Sequence, residues 1–286
     1  MAIVLDPSCR EEDRAAAEAV GALLADRAPL GVALSGGVDS SVLLALASRA
    51  LGSDQVLALL GVSASLASVE RAAAHEVAAV VGVALLEVMT REGQREGYVR
   101  NGPDRCFHCR DELFSRIDAE VVDAHGLAAC AYGENVDDAR RLDRPGAQAA
   151  TEHAILRPLR DAGIDKAQVR RLAHALGLPN ADKPAAPCLA SRIPHFEEVL
   201  PDKLARIEQA EDGLRALGFT ELRVRHHGEV ARVELPTRDR PRALHPPMRA
   251  RIEQVGRDAG FQEVVVDAEG VRSGAFTLPL VEVGGA

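Results

Sequence analysis

The chain predicts a doubly wound α/β domain built on a parallel sheet, followed by a smaller α+β domain. Three observations carry this. Helix-like and strand-like stretches alternate over residues 11–132, the order expected of βαβ units. The strand-like stretches are continuous apolar runs, as expected of strands covered on both faces. The chain, at 286 residues, is long for a single core, and residues 179–201 carry four prolines before Pro201, which favours extended chain and a junction. The division expected is 1–185 and 186–286.

Residues 11–25 are rich in Ala, Glu and Leu and predict a helix. Pro29–Ser35 is a short apolar run ending at glycines, a buried strand entering a turn. Residues 40–50 predict a helix, 55–62 a strand, 68–81 a helix and 83–88 a strand. Residues 91–110 break this pattern with Gly, Asn and Pro and contain a cysteine pair; His108, between the two, reads as a loop residue. Residues 127–132 predict another buried strand, stopped by Gly133. Lys166–Leu176 predicts a helix with Val169, Leu172, Ala173 and Leu176 on one face, Asp165 capping its start and Gly177 its end. In the second domain Leu204, Ile207, Leu214 and Leu217 mark a helix. Glu221–His226 and Val230–Leu235 read as strands turning near Gly228. Met248, Ile252 and Val255 mark a further helix, and Glu263–Asp267 a last strand. The terminal Gly-Gly-Ala reads as disordered.

Composition narrows the function classes. The chain has 34 basic and 43 acidic residues, a net charge of −9, which argues against a nucleic-acid partner. Six Phe, two Tyr and no Trp cannot build a base-stacking platform. No apolar run approaches a bilayer's thickness, so no membrane partner is expected. MAIVLDPSCREEDR shows no basic n-region and no long apolar h-region, so the expected location is the cytoplasm. The five cysteines, Cys9, Cys106, Cys109, Cys130 and Cys188, are unevenly spaced and suit ligands, nucleophiles or buried thiols better than a disulfide framework.

The strongest local signal is Leu34-Ser35-Gly36-Gly37-Val38-Asp39-Ser40-Ser41, between an apolar strand and a helix. Gly36 and Gly37 allow a sharp turn and close approach to a ligand. The helix N-terminus turns N–H groups and a positive dipole end toward an anion, and Ser35, Ser40 and Ser41 add hydroxyl donors. This is a cradle for pyrophosphate. It lacks the lysine of a Walker A loop. Asp39 repels phosphate unless it binds Mg²⁺ or caps the helix, and both readings fit.

The string SGGVDSS resembles the signature of the PP-loop ATP pyrophosphatases, whose fold is adenine nucleotide alpha hydrolase-like. The resemblance implies ATP and Mg²⁺ as cofactors and cleavage between the α- and β-phosphates, with adenylation of a carbonyl-type oxygen. Asp182-Lys183-Pro184-Ala185-Ala186-Pro187-Cys188-Leu189-Ala190-Ser191-Arg192-Ile193-Pro194 resembles the corresponding segment of the LarE family. So do Asn101–Cys109, Gly133–Asp138 with Arg144-Pro145-Gly146, and Val224–Gly228 with Ala231–Glu234, in the same order. Glu134, Pro187 and His195–Glu198 depart from the family's usual Thr, Ala and Tyr-Gly turn. Members are ATP-dependent sulfur transferases that thiolate a pyridinium dicarboxylate mononucleotide on the way to the nickel-pincer nucleotide. The resemblance implies this small-molecule nucleotide as substrate and a homo-oligomer, a hexamer.

Cys188 stands four residues before Arg192. A helix starting near Cys188 would let its dipole and Arg192 stabilise a thiolate; a buried structural thiol is the alternative. By resemblance the thiolate attacks the adenylated carboxylate, and in one family variant the Cβ–S bond then breaks, leaving dehydroalanine. Cys106 and Cys109 form CxxC and with Cys188 make three thiolates, the set that leaves one iron of a [4Fe–4S] cluster open for a transferable sulfide. Family members with all three resemble cluster-bearing catalysts. A zinc set of Cys106, Cys109, His125 and Cys130 is the competing reading, weakened by the apolar strand pattern around Cys130.

Arg223 and Arg225, two apart on a strand, share a face and can grip a substrate phosphate; solvated arginines paired with Glu are the alternative. Ser191 and Arg192 can help, and Glu234 can pair with such an arginine. Asp104 and Arg105 can shape the cysteine loop. Asp137 and Asp138 can bind Mg²⁺ or cap the next helix. Of His226 and His227, one must point away from the arginines, toward the surface. The active site is expected between the two domains. Rival readings are a PP-loop tRNA thiolase or amide-forming synthetase, and a non-catalytic nucleotide- or metal-binding module.

Overall fold

The computed structural model describes residues 3–140 and 145–271. Arg144 and the terminal Gly-Gly-Ala lie outside them. In chain order the helices and strands are α1 (Glu11–Leu24), β1 (Leu30–Ala33), α2 (Val38–Leu51), β2 (Val56–Val62), α3 (Ser68–Val81), β3 (Ala84–Met89), α4 (Glu96–Val99), α5 (Arg105–Arg116), α6 (Asp123–His125) and β4 (Ala129–Tyr132). There follow α7 (Val136–Ala139), α8 (Gly146–Glu152), α9 (Pro158–Asp161), α10 (Lys166–Ala175), α11 (Pro201–Ala216), β5 (Arg223–His227), β6 (Val230–Glu234), α12 (Arg240–Leu244), α13 (Pro246–Asp258) and β7 (Glu263–Val266). The chain divides into two compact units. One comprises residues up to Glu92 and Cys106–Ala186; the other comprises Gly93–Arg105 and the residues from Pro187 onward. The excursion of Gly93–Arg105 into the second unit has no counterpart in a single cut after residue 185.

The first unit is a four-stranded parallel sheet in the order β3-β2-β1-β4. Alternation along β2 explains why helices cover both faces. Val56, Ala58, Leu60 and Val62 join a core with Val20 and Leu24 of α1, Val42 and Leu46 of α2, Val77 of α3 and Val169 and Leu172 of α10. Leu57 and Leu59 point the other way, into a core with Phe114, Ile117, Val121, Tyr132 and Ala149. Because α2 is packed nearly all round, Val42 through Ala47 are fully apolar and buried. Asp165 caps α10 by accepting from Gln168 N at 2.7 Å, and Gly177 ends it at φ +64°.

In the second unit β5 and β6 pair antiparallel and β7 runs parallel to β6. Leu214 of α11 and Ile252 of α13 cover that sheet with Val224, Ala231, Val233, Phe219 and Phe261. Residues 179–200 contain no strand and only a four-residue 3₁₀ turn, Leu189–Arg192.

The structure corrects three local expectations. The cysteine pair and His108 lie not in a loop but in α5. This helix buries the stripe Phe114, Ile117 and Val121, with Phe107 partly buried against the same core, and continues through a π-helical segment, Ile117–Val122. Cys188 precedes only the 3₁₀ turn and not an α-helix, because Pro187 and Pro194 bracket it. The histidine opposite the arginines is not on the surface: His226 is 2% exposed, edge-on to Phe261 at 5.6 Å, because its strand face is the one packed into the core.

Candidate functional site

In the first unit the glycine loop leaves β1 at its C-terminal end and enters α2. Ligands of open parallel sheets bind at this edge. Gly36 takes φ +71°, and a Cβ there would stand 2.8 Å from Glu70 O. Gly37 is the N-cap residue of the helix and no side chain caps it, so its first N–H groups are not taken by a capping oxygen. The hydroxyls are ordered: Ser40 Oγ and Ser41 Oγ donate to Gly37 O at 3.0 and 2.8 Å, and Ser40 Oγ also accepts from Ser35 N at 3.2 Å. Gly133, ending β4, lies directly on this turn. A Cβ there would fall 2.6 Å from Ser40 N and 2.7 Å from the Asp39 carbonyl carbon.

Three polar residues to which sequence reasoning gave no role complete the loop. Asn180 Nδ2 donates to Gly36 O at 3.0 Å and to Ser41 Oγ at 2.8 Å. Lys183 Nζ donates to Gly36 O at 3.2 Å and to Glu70 at 2.7 Å. Lys166 Nζ donates to Asp39. Asp39 therefore does not cap its helix; its other oxygen accepts from Asn135 Nδ2 at 2.7 Å. Asp137 accepts from Lys166 N at 2.9 Å, at the start of α10, while Asp138 is bonded to Asn135. Were Mg²⁺ bound, Asp39 would offer it a carboxylate beside the glycine loop, which suits a cation that takes one or two carboxylates and completes its shell with phosphates and water.

Glu134, 3% exposed, accepts from Tyr132 Oη at 2.6 Å and lies 3.6 and 3.7 Å from Arg157 and Arg160. Arg110 stacks over the Tyr132 ring at 5.1 Å.

All five cysteines are free thiols. Cys106 and Cys188 are exposed and Cys109 is half-buried. Cys106 and Cys109 are three apart on α5 and so share a face. Reachable thiols on a common face have the chemistry a cluster requires. Burial, with Asp118 adding to it, pushes the Cys130 thiol up to about 11, so it is a poor ligand at neutral pH. Among the described residues no group of three or more His, Cys, Asp or Glu is arranged to hold a metal ion, and this applies to the set of Cys106, Cys109 and Cys188 as it does to the zinc set.

In the second unit the segment carrying Cys188 is clasped by the excursion. Asn101, wholly buried at φ +56°, donates to the carbonyls of Ile193 (3.3 Å), Pro194 (2.7 Å) and Glu197 (3.0 Å). Arg105 bonds Asn101 Oδ1 and Ala190 O. His195 Nδ1 meets Asn101 O at 3.0 Å, and burial holds that imidazole below its ordinary pKa.

Arg192 does not stand free beside the thiol. It pairs with Glu211 at 2.9 Å, and its Nη1 donates to the carbonyls of Pro187 and Cys188 and to Ser191 Oγ. Glu211, which sequence reasoning missed, is fully buried, and also accepts from Val224 N at 3.1 Å and Arg215 at 3.0 Å. Arg225 donates to Ser191 O at 2.8 Å and to Glu234 at 3.0 Å. The arginines are therefore not solvated. Arg192, Arg223 and Arg225 are each 5% exposed or less, and Glu211 and Glu234 are as deeply buried. Burial, with Arg225 and Arg192 nearby, pushes the Arg223 guanidinium below its ordinary pKa.

Comparison with known proteins places these features in a family. A family model described as asparagine synthase matches residues 13–115, which include the glycine loop and stop before Cys188. An uncharacterized protein of Synechocystis is 38% identical over 251 residues, covering 88% of this chain and 92% of that protein. The pyridinium-3,5-bisthiocarboxylic acid mononucleotide synthase of Lactiplantibacillus plantarum is 33% identical over 262 residues, 91% of this chain and 93% of that protein. The chain belongs to the LarE family. An uncharacterized protein of Methanocaldococcus jannaschii, 28% identical over 61% of the chain, is a more distant relative. The LarE relationship spans both units, so it includes the glycine loop, α5 and the clasped Cys188 segment alike. Among the described residues no helix is long and apolar enough to cross a membrane.

Proposed function

We propose that this LarE-family chain is an ATP-dependent sulfur transferase. It adenylates a carboxylate of pyridinium-3,5-biscarboxylic acid mononucleotide and converts it to a thiocarboxylate. The observation that carries the reading is the near end-to-end similarity to a protein named for the bisthiocarboxylic product, together with an ordered phosphate cradle and an exposed Cys188.

In this reading the substrate carboxylate attacks the α-phosphorus of ATP and pyrophosphate leaves. The loop of Ser35, Gly36, Gly37, Ser40 and Ser41 receives that pyrophosphate on N–H and O–H donors. Lys183, already on the Gly36 carbonyl, brings a positive charge to the same loop. Asp39 would meet Mg²⁺, which would supply charge neutralisation for the departing group. Arg223 and Arg225, with Ser191, Arg192 and Glu234 around them, hold the substrate phosphate. Cys188 then attacks the acyl carbon and AMP leaves, giving a thioester. Breaking the Cys188 Cβ–S bond, with loss of the Cα proton, releases the thiocarboxylate and leaves dehydroalanine. Cys106, Cys109 and Cys188 would instead hold a [4Fe–4S] cluster whose chemistry is to carry an exchangeable sulfide, sparing the protein's own sulfur.

Intact-mass measurement after turnover tests the reading. A protein lighter by hydrogen sulfide means that Cys188 gave its sulfur. Unchanged mass with repeated turnover means an external source, and then anaerobic reconstitution with iron and sulfide must give a brown chromophore that Cys106→Ser abolishes. Absence of AMP and thiocarboxylate under both regimes overturns the proposal. The protein is further proposed to be cytoplasmic and a homo-oligomer, which sedimentation of the purified chain tests.

A further inference from the structure

Asp39 is a carboxylate in a loop shaped for phosphate, and the structure shows which side chains meet that charge. Gly37, not Asp39, is the N-cap residue of α2, and no side chain caps the helix. Asp39 Oδ1 is fixed by Asn135 and Oδ2 by the Lys166 ammonium. The pair is partly shielded, with the two side chains 20% and 36% exposed. Lys166 is itself well anchored. It is the first residue of α10, its N–H goes to Asp137, and Asp165 caps the same helix turn. Asp137 and Asp138 add negative charge nearby, with Arg140 3.8 Å from Asp137. Among the described residues Lys166 is the cation in contact with Asp39.

We propose that Lys166 is a resident counter-cation for Asp39, holding the carboxylate neutralised in the nucleotide-free protein and giving way to the divalent cation that enters with the triphosphate. The proposal rests on the reading that Asp39 meets a metal–nucleotide. The physical argument is competition for one oxygen. A charged donor bonded to a carboxylate is roughly twice as strong as a neutral one. A divalent cation offered one carboxylate and no phosphates gives up its waters reluctantly, so alone it does not displace the ammonium. With phosphate oxygens completing its shell, it does. Lys166 thereby makes metal binding depend on nucleotide, and keeps the loop from being occupied by metal alone.

The test is Mn²⁺ binding by the full-length protein, read by loss of the free-ion electron paramagnetic resonance signal. It is run without nucleotide and with α,β-methylene-ATP. Lys166→Met is expected to bind Mn²⁺ about tenfold more tightly than wild type in the absence of nucleotide. Lys166→Arg should match wild type. Asp39→Asn and the Asp39→Asn/Lys166→Met double variant should lose the tight site. Should the Met variant fail to fold, Lys166→Gln keeps a donor without the charge and should shift the affinity in the same direction. Equal nucleotide-free affinity in wild type and the Lys166 variants, with Asp39→Asn still weakening Mn²⁺–nucleotide binding, overturns the counter-cation and leaves the functional reading standing. Mn²⁺–nucleotide binding unaffected by Asp39→Asn overturns both.

Discussion

Gly133→Ala is the sharpest structural test of the phosphate cradle. The added methyl would lie 2.6 Å from Ser40 N, 2.7 Å from the Asp39 carbonyl carbon and 2.8 Å from Ser40 Cα, all of them backbone atoms that no rotamer change can move. Ordinary contact needs roughly 0.6–0.8 Å more room, so either β4 or the first turn of α2 must shift by that amount. Overpacking of this kind costs roughly 1–3 kcal/mol, or several degrees of melting temperature for a domain of this size. The displaced turn is the one that would receive pyrophosphate, and a misplacement near 1 Å costs on the order of 10²-fold in rate. The assay is pyrophosphate release at saturating ATP and substrate, paired with a thermal melt. Gly93→Ala is the control, because a Cβ at Gly93 meets nothing within 4 Å. Wild-type pyrophosphate release by Gly133→Ala would show that the turn over Gly133 is not the catalytic cradle.

Other outcomes follow from the same geometry. His226 is held down to about 4 by burial, with Lys203 and Arg206 nearby. Its stabilising effect is complete above the unfolded value near 6.5 and is lost as pH falls toward 4, for a total of about 3 kcal/mol. Urea unfolding at pH 7 and pH 4.5 should therefore show a smaller acid loss in His226→Phe than in wild type, and parallel losses would contradict this. Asn101→Ala strands three carbonyl acceptors and the Arg105 partner; it should cost roughly 1–3 kcal/mol and speed alkylation of Cys188, measured by peptide mapping. An unchanged alkylation rate would show that the clasp does not govern that segment. Cys188→Ala should abolish thiocarboxylate while leaving one equivalent of pyrophosphate released per site. Continued thiocarboxylate formation would remove Cys188 from the chemistry.

Local pattern revealed the alternating elements because each obeys one period. The odd and even residues of β2 separate onto two cores, and Val169, Leu172 and Ala173 line one side of α10. It also revealed the glycine loop, whose residues are consecutive in the chain. It failed for α5, where Asn101, Gly102 and Pro103 suggested irregular chain. The stripe Phe107, Phe114, Ile117, Val121 has helical spacing and would have disclosed the helix. The contacts of Lys166, Asn180 and Lys183 were not legible, because each reaches a loop more than a hundred residues away and no nearby spacing records that. Glu211 hid for a related reason. On a helix read by its apolar stripe, a glutamate is assigned to solvent, yet this one is buried to satisfy Arg192 and Val224. His226 misled because polarity suggested surface while the period of the strand placed it in the core.

The central claim concerns how a carboxyl group is activated for sulfur. The most direct measurement is the stoichiometry of AMP against thiocarboxylate when the purified protein receives ATP and the pyridinium dicarboxylate mononucleotide. One AMP per thiocarboxylate formed, with both absent when the Ser35–Ser41 segment is replaced, is the predicted result. Thiocarboxylate appearing without AMP, or AMP formed equally well by the replaced loop, would contradict the account.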